Sequence, residues 1–428
     1  MKHFIQKLLA KKAHRLIEHY HPQIIAITGS IGKTSTKTAI ATILENRFRM
    51  RVAKYNYNNE IGVPLAILGK ESPGTSLFGW LRLLCEKHTS FPDILVLEFG
   101  ADHPGDIQAL CKLAPPSIGV LTGISPVHVE NYDSLDQLIE EKSFLLSSLP
   151  QDGYAVLNAD DEHVWSQREK ASAPAMGYGF SQVADLRATG YDLQTRLDHD
   201  FDPGESFAQV VFCVESAKDK AQIVLSNTIG KPQVSAILAA LAVGSHLGLS
   251  FQEMAETLQK NYGSPCGRLK PLAGIKGSLI LDDTYNAAPA SMLAALEALR
   301  EFEPYENRRR IAVLGDMAEL GALSESEHRR IGLHVFETAV DLLVCVGEKA
   351  KDMGRAAQEA GMKEEAIVYF QEAKEAGRFM DRELKQGDII LVKGSQSMRM
   401  EKVVKEIMAE PLRAEELLVR QYGKWVRD

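Results

Sequence analysis

At 428 residues the chain exceeds what one hydrophobic core organises, and its 45% hydrophobic and 25% charged content reads as two or three soluble globular domains. A formal net charge of -8 argues against a nucleic-acid binder, whose footprint would be basic, and five scattered cysteines without a C-x-x-C pair argue against a zinc site or a disulfide frame. No apolar run reaches the ~20 residues of a membrane-spanning helix and no signal peptide is expected, so the reading is a cytoplasmic protein with reduced thiols.

The first twenty residues set Phe4, Ile5, Leu8, Leu9 and Leu16 against Lys2, Lys7, Lys11, Lys12 and Arg15. That spacing predicts an amphipathic helix over residues 1–20, which either packs its apolar stripe on the following domain or makes peripheral contact with an anionic membrane surface. The stretch from Ile24 to Ile40, IIAITGSIGKTSTKTAI, then joins a β-branched apolar run to a Gly-rich turn that opens a helix. Gly29 and Gly32 let successive backbone N–H groups converge, and the helix beginning at Lys33 adds its positive dipole end. The Lys33 ammonium can reach between β- and γ-phosphates, and the Thr34 hydroxyl is placed to hold Mg²⁺. Ile27 stands where the usual P-loop has a glycine, so the loop is a shortened variant.

Lys54 to Pro64 (KYNYNNEIGVP) reads as an ordered irregular loop. Asp93 to Phe99 is a buried strand delivering Glu98 to its carboxyl end, and Ser117 to Ile124 is another, leading to Pro126 and His128. A helix from Ser134 to Leu149 carries Lys142, and Tyr154 to Asn158 is a further strand. Strands alternating with helices predict a parallel sheet that binds ligands at its carboxyl ends, where Gly32, Glu98, His128 and Asn158 all fall. Residues 180–230 read as an antiparallel appendage, Val234 to Leu247 as a helix, and Asn261 to Gly274, around Arg268, as a linker.

A second α/β pattern follows: a strand from Ser278 to Leu281 ending in Asp282-Asp283, a helix from Ser291 to Arg300, and a strand from Arg310 to Leu314 ending in Gly315-Asp316. Leu342 to Val346 and Asp388 to Val392 add two strands, the last ending at Lys393-Gly394-Ser395. The expected class is α/β, with an N-terminal helix (1–23), a P-loop central domain on a parallel sheet (24–265) and a C-terminal Rossmann-like α/β domain (266–428).

Nine stretches, in this order, carry a resemblance: TGSIGKTSTK from Thr28, NNEIGVP from Asn58, LEFGADHPGDI from Leu97, SPVHVENYDS from Ser125, LNADDEHV from Leu157, GRL from Gly267, LDDTYNAAPASM from Leu281, VLGDMAELG from Val313 and VKGSQSMRME from Val392. Together they resemble the Mur ligase family of ATP-dependent amide-forming ligases. The last three look closest to the branch that adds D-alanyl-D-alanine to UDP-N-acetylmuramoyl-tripeptide in peptidoglycan precursor synthesis. The resemblance implies that ATP phosphorylates a substrate carboxylate and that an amine displaces the phosphate, chemistry in which positioning and charge stabilisation dominate. It implies ATP contacts from Gly29, Ser30, Gly32, Lys33, Thr34 and Ser35, with Arg268 near the phosphates, Asn286 at adenine and Asp316 at the ribose. Two Mg²⁺ ions are implied, one on Thr34 and Glu98, the other on His128 and a carbamylated Lys142; Lys33, His128 and Lys142 are the implied catalytic set. Asn58, Asn59, Lys393, Ser395 and Arg399 are implied to face the substrates, a nucleotide-sugar peptide acceptor and a dipeptide amine, in a monomeric enzyme.

Plainer alternatives stand beside these. Lys142 also reads as a solvated helix lysine beside Glu140 and Glu141, and Asp282, Asp283 and Asp316 as turn or helix-capping carboxylates; His328 reads equally as a surface or capping residue and as a functional one. The chain also departs from the branch. Only residues 1–23 precede the first strand, so the usual N-terminal uridine-nucleotide domain is expected to be missing. Ala288 and Gln396 replace a usual asparagine and arginine, and GKPQVS from Gly230 lacks the usual His and Asn. Competing readings are a related ligase of pseudomurein or poly-γ-glutamate type, and a nucleotide-binding partner protein without turnover.

Overall fold

The structure is a computed structural model that describes residues 2–53, 57–86, 89–125, 131–195, 204, 206–302, 308–421 and 425. Its first sheet contains β1 (Gln23–Thr28), β2 (Met50–Val52), β3 (Ile94–Glu98), β4 (Ile118–Leu121), β5 (Tyr154–Asn158), β6 (Ala175–Gly179), β7 (Leu186–Thr195), β8 (Ala208–Glu215) and β9 (Lys220–Ser226). The order is β2-β3-β1-β4-β5-β6-β7-β8-β9, parallel through β7 and antiparallel at β8 and β9.

Helices cover both faces: α1 (Lys2–Tyr20), α2 (Lys33–Leu44), α3 (Gly62–Leu68), α4 (Leu77–Cys85), α5 (Asp106–Leu113), α6 (Leu135–Ser147), the single turn α7 (Glu162–Trp165), α8 (Lys231–His246) and α9 (Phe251–Asn261). Alternate residues of one strand serve opposite cores, because successive side chains of a strand point to opposite faces. Ile25 and Ile27 of β1 pack with Ile40 of α2, Ile237 and Ala240 of α8 and Met254 of α9. Ile24 and Ala26 pack with Ala13 and Ile17 of α1, Val63 of α3 and Ile107 of α5. A strand buried on both faces must be apolar throughout, which is why IIAI reads as a continuous run.

The second sheet runs β10-β11-β15-β12-β13-β14, from β10 (Lys270–Ala273), β11 (Leu279–Asp283), β12 (Arg310–Gly315), β13 (Leu342–Val346), β14 (Ile367–Phe370) and β15 (Ile389–Lys393). Only the β10–β11 pairing is antiparallel. Leu281, Leu314 and Leu391 meet α10 (Pro289–Arg300), α11 (Ser324–Glu337) and α12 (Lys351–Ala360) on one face. Ile280, Val313 and Val392 meet α13 (Ala373–Glu383) and α14 (Glu401–Ile407) on the other.

Three expectations are corrected. Residues Gly62–Pro64 open helix α3 instead of continuing a loop, Pro64 being tolerated in a first turn whose N–H groups have no intrahelical partner. The predicted linker contains the edge strand β10; Pro271 disguised it, and an edge is where a strand tolerates a missing donor. The antiparallel appendage is no appendage, since β7 pairs with β6 and continues the first sheet. At the N-terminus Leu9, Ala13 and Ile17 are buried, so the stripe that would have met a membrane packs on the domain.

Candidate active site

The carboxyl ends of both sheets open into one cavity of about 620 Å³. On the P-loop side it is lined by Ser30, Gly32, Lys33, Thr34 and Ser35, with Asn58, Glu98 and Asn158 beside them. Gly29 has φ +146° and Gly32 φ +84°, conformations that L side chains rarely adopt, and a Cβ on Gly29 would collide with the Thr122 hydroxyl. This is how the sequence brings the loop back over β1 and starts α2 at Lys33.

Lys33 folds over the loop, Nζ donating to the Gly29 carbonyl, and burial in the cleft lowers its pKa, with Glu98 opposing that shift. Glu98 is 1% exposed; its Oε2 accepts from Thr34 Oγ1 at 3.4 Å, and its Oε1 lies 2.9 Å from Lys37 Nζ. The Lys37 contact is a close charge pair without hydrogen-bond alignment, and the same ammonium donates to the Ala53 carbonyl at 3.1 Å. Lys142 is 2% exposed on α6, so it is no solvated lysine. Burial first, and the Lys33 charge second, push its pKa down to about 7.

On the opposite wall Lys393, 1% exposed, donates to Asp283 Oδ2 at 2.7 Å and to the Asn286 carbonyl at 2.9 Å. Burial lowers the Lys393 pKa and Asp283 resists the shift. Arg268 stacks 4.1 Å over the Tyr285 ring, and its buried Nε has no hydrogen-bond partner among the described residues. Ser395 Oγ accepts from the Ala318 N–H at 2.8 Å, and Asn286 Oδ1 faces the Gln396 N–H. Arg268, Asn286, Lys393 and Ser395 all line the cavity.

Other expected positions fall elsewhere. Asp316 is outside the lining: its Oδ1 accepts from the Ala350 N–H at 2.7 Å, just before α12. Arg399 is also outside, its guanidinium held by Glu401 at 2.6 Å and by the Trp425 carbonyl. Asn59 caps its own turn by accepting from Ile61 and Gly62, and Gly29 shapes the loop without lining the cavity. His328 is fully buried: its Nε2 accepts from Met317 N–H at 3.0 Å while Nδ1 faces the Ser324 carbonyl, a structural tautomer and not a surface histidine. His128 lies outside the described residues. The sequence reading missed Gln233, which donates to the Arg268 carbonyl at 2.6 Å and accepts from Tyr262. Its signals were a glutamine on the first turn of an otherwise Ala- and Leu-rich helix and its place in the departing GKPQVS segment. Lys37 and Trp425 were missed as well: Lys37 closes the TGSIGKTSTK stretch without having been given a role, and Trp425 belongs to no motif.

Residues 27–244 match the Mur ligase middle domain and residues 267–396 the Mur ligase glutamate ligase domain. Over 403 residues the chain is 31% identical to the UDP-N-acetylmuramoyl-tripeptide--D-alanyl-D-alanine ligase of Mycobacterium tuberculosis, covering 90% of this chain and 73% of that one. The enzyme of the same name from Bacillus subtilis is 28% identical over 94% of this chain and 80% of its own. Among solved structures, MurF from Acinetobacter baumannii superposes with a TM-score of 0.75 at 26% identity, covering 94% of this chain and 79% of that one.

Proposed function

The chain belongs to the Mur ligase family of ATP-dependent peptide ligases, and on that premise we propose that it joins D-alanyl-D-alanine to UDP-N-acetylmuramoyl-tripeptide through an acyl phosphate. The observation that carries the reading is the single cavity into which the P-loop end of one sheet and the Asp283, Asn286 and Lys393 end of the other both open. ATP phosphates rest on the N–H groups at the start of α2, and Lys33 leaves the loop carbonyls to neutralise the γ-phosphoryl group. The terminal carboxylate of the tripeptide attacks that phosphorus and ADP departs. The dipeptide amine then attacks the acyl carbon, phosphate leaves, and the amide forms. Arg268, on the segment joining the sheets, has an Nε–H with no partner among the described residues to offer a phosphoryl oxygen, and Asn286 faces the base. The domain boundaries follow as 24–265 and 266–428, with residues 1–23 a helix packed on the first.

A magnesium ion fits Thr34 and Glu98. Their oxygens are 3.4 Å apart, and adjacent ligands of an octahedral Mg²⁺ lie about 3 Å apart. Among the described residues no cluster of three or more His, Cys, Asp or Glu converges, as suits an ion held through one or two side chains, phosphate and water. Lys142, with His128, would serve a second ion as a carbamate; a Lys142 amine pushed down to about 7 is partly neutral at physiological pH, the form that adds CO₂. Bound there, the ions would neutralise phosphoryl charge.

Phosphate release is measured with ATP, Mg²⁺, D-alanyl-D-alanine and UDP-N-acetylmuramoyl-tripeptide, omitting each in turn. Release that needs all four, with a mass gain of one dipeptide on the acceptor, is expected. Release independent of the amine or the acceptor overturns the reading.

A further inference from the structure

We propose that the face formed by α1 and α4 docks the protein peripherally on an anionic lipid bilayer. Helix α4 carries the sequence LFGWLRLLC, and it turns Leu77, Phe78 and Leu81 outward at 50%, 78% and 53% exposure while Leu83 is buried against Leu9 of α1. Three large apolar side chains on one nine-residue helix form a patch that a soluble surface does not need. Trp80, half-buried beside them, donates its indole N–H to the Gly74 carbonyl, the amphipathic placement of an interfacial aromatic.

The charge beside the patch selects the occupant. Although the chain carries -8, residues 1–20 hold Lys2, Lys7, Lys11, Lys12 and Arg15 against Glu18 alone. Lys12 reaches across to α4, its Nζ donating to the carbonyls of Leu83 (2.7 Å), Leu84 (3.1 Å) and Glu86 (2.6 Å). At about 100° per residue, Leu8, Lys11 and Arg15 lie on the same flank of α1 as Lys12. All three are exposed, Leu8 at 37%. Glu86, just past the end of α4, is paired with Lys70. A basic stripe bordering exposed Phe and Leu matches the headgroup and acyl boundary of an anionic leaflet, where apolar insertion and electrostatic attraction add. Because the inward stripe of α1 is spent on the domain core, the inserting element is α4, and α1 supplies the charge.

The test is co-sedimentation of the full chain with vesicles of phosphatidylcholine alone or with phosphatidylglycerol, in low and high salt. Expected is binding to the anionic vesicles that weakens about tenfold in high salt. Phe78→Glu with Leu81→Glu, and separately Lys11→Glu with Arg15→Glu, are each expected to reduce the bound fraction roughly tenfold while ATP-dependent phosphate release in solution is unchanged. No binding to anionic vesicles, equal binding to both compositions, or binding indifferent to the α4 substitutions overturns the proposal. So does light scattering that shows a dimer which Phe78→Glu dissociates, since the face would then belong to a second copy.

Discussion

The two walls of the cavity hold their charges differently. On the P-loop wall Glu98 is paired with Lys37, but the Lys33 ammonium donates to loop backbone carbonyls and Lys142 is buried with its pKa pushed down, while Arg268 across from them has no hydrogen-bond partner at Nε among the described residues. On the second wall Lys393 is neutralised by Asp283, and behind that wall, outside the cavity, Glu401 pairs with Arg399 and Arg420 and the Asp316 carboxylate caps the turn before α12. Removing a group of the first kind deprives a ligand of its partner. Removing one of the second kind strands a buried charge within the protein itself.

Four substitutions test that contrast. Lys393→Ala leaves Asp283 buried without its cation and is expected to cost about 3–5 kcal/mol of stability, read as a lowered urea midpoint; an unchanged midpoint would erase the distinction between the walls. Lys33→Ala should instead leave the midpoint in place and lower kcat/KM about 10²–10³-fold, the scale of losing one charge-stabilising donor. For Lys142→Met in bicarbonate-free buffer, activity should be lost while stability rises. Wild-type Lys142 holds its proton less tightly folded than unfolded, so between about pH 7 and 10.5 the unfolded chain binds more protons and wild-type stability climbs with pH. The stabilising effect of the substitution is therefore largest at or below neutrality, about 1–2 kcal/mol after relaxation, and fades towards pH 10; a thermal-shift difference that is flat with pH would contradict it. Asp316→Ala should cost about 1 kcal/mol, the loss of one capping acceptor. A large rise in KM for ATP at unchanged stability would return Asp316 to the ribose.

Much of the site was readable because its residues sit in local patterns. The shortened P-loop, the strand ending in Glu98 and the helix bearing Lys142 each depend on chain neighbours within a few positions, and each lies where periodicity puts it. The strand through Pro271 was not readable, because pairing with β11 is a long-range fact that a proline obscures. Nor were Gln233 and Lys37, whose partners Arg268 and Glu98 are 35 and 61 positions away. Asp316 shows the opposite ambiguity: a carboxylate at a strand end suits a ribose and a backbone N–H equally well, and in the structure it accepts from the Ala350 N–H.

From residue types and spacing alone came the two α/β halves and the expected phosphate cradle, since glycine conformation and β-branched runs act along the chain, while the ligase family came from the resemblance that the ordered motifs carry. Only the tertiary structure decided which charges face the cavity and which face one another, that Lys142 is buried, and that the stripe of α1 is covered while α4 is left bare. Burial and pairing depend on segments distant in sequence, and local chemistry does not carry that information.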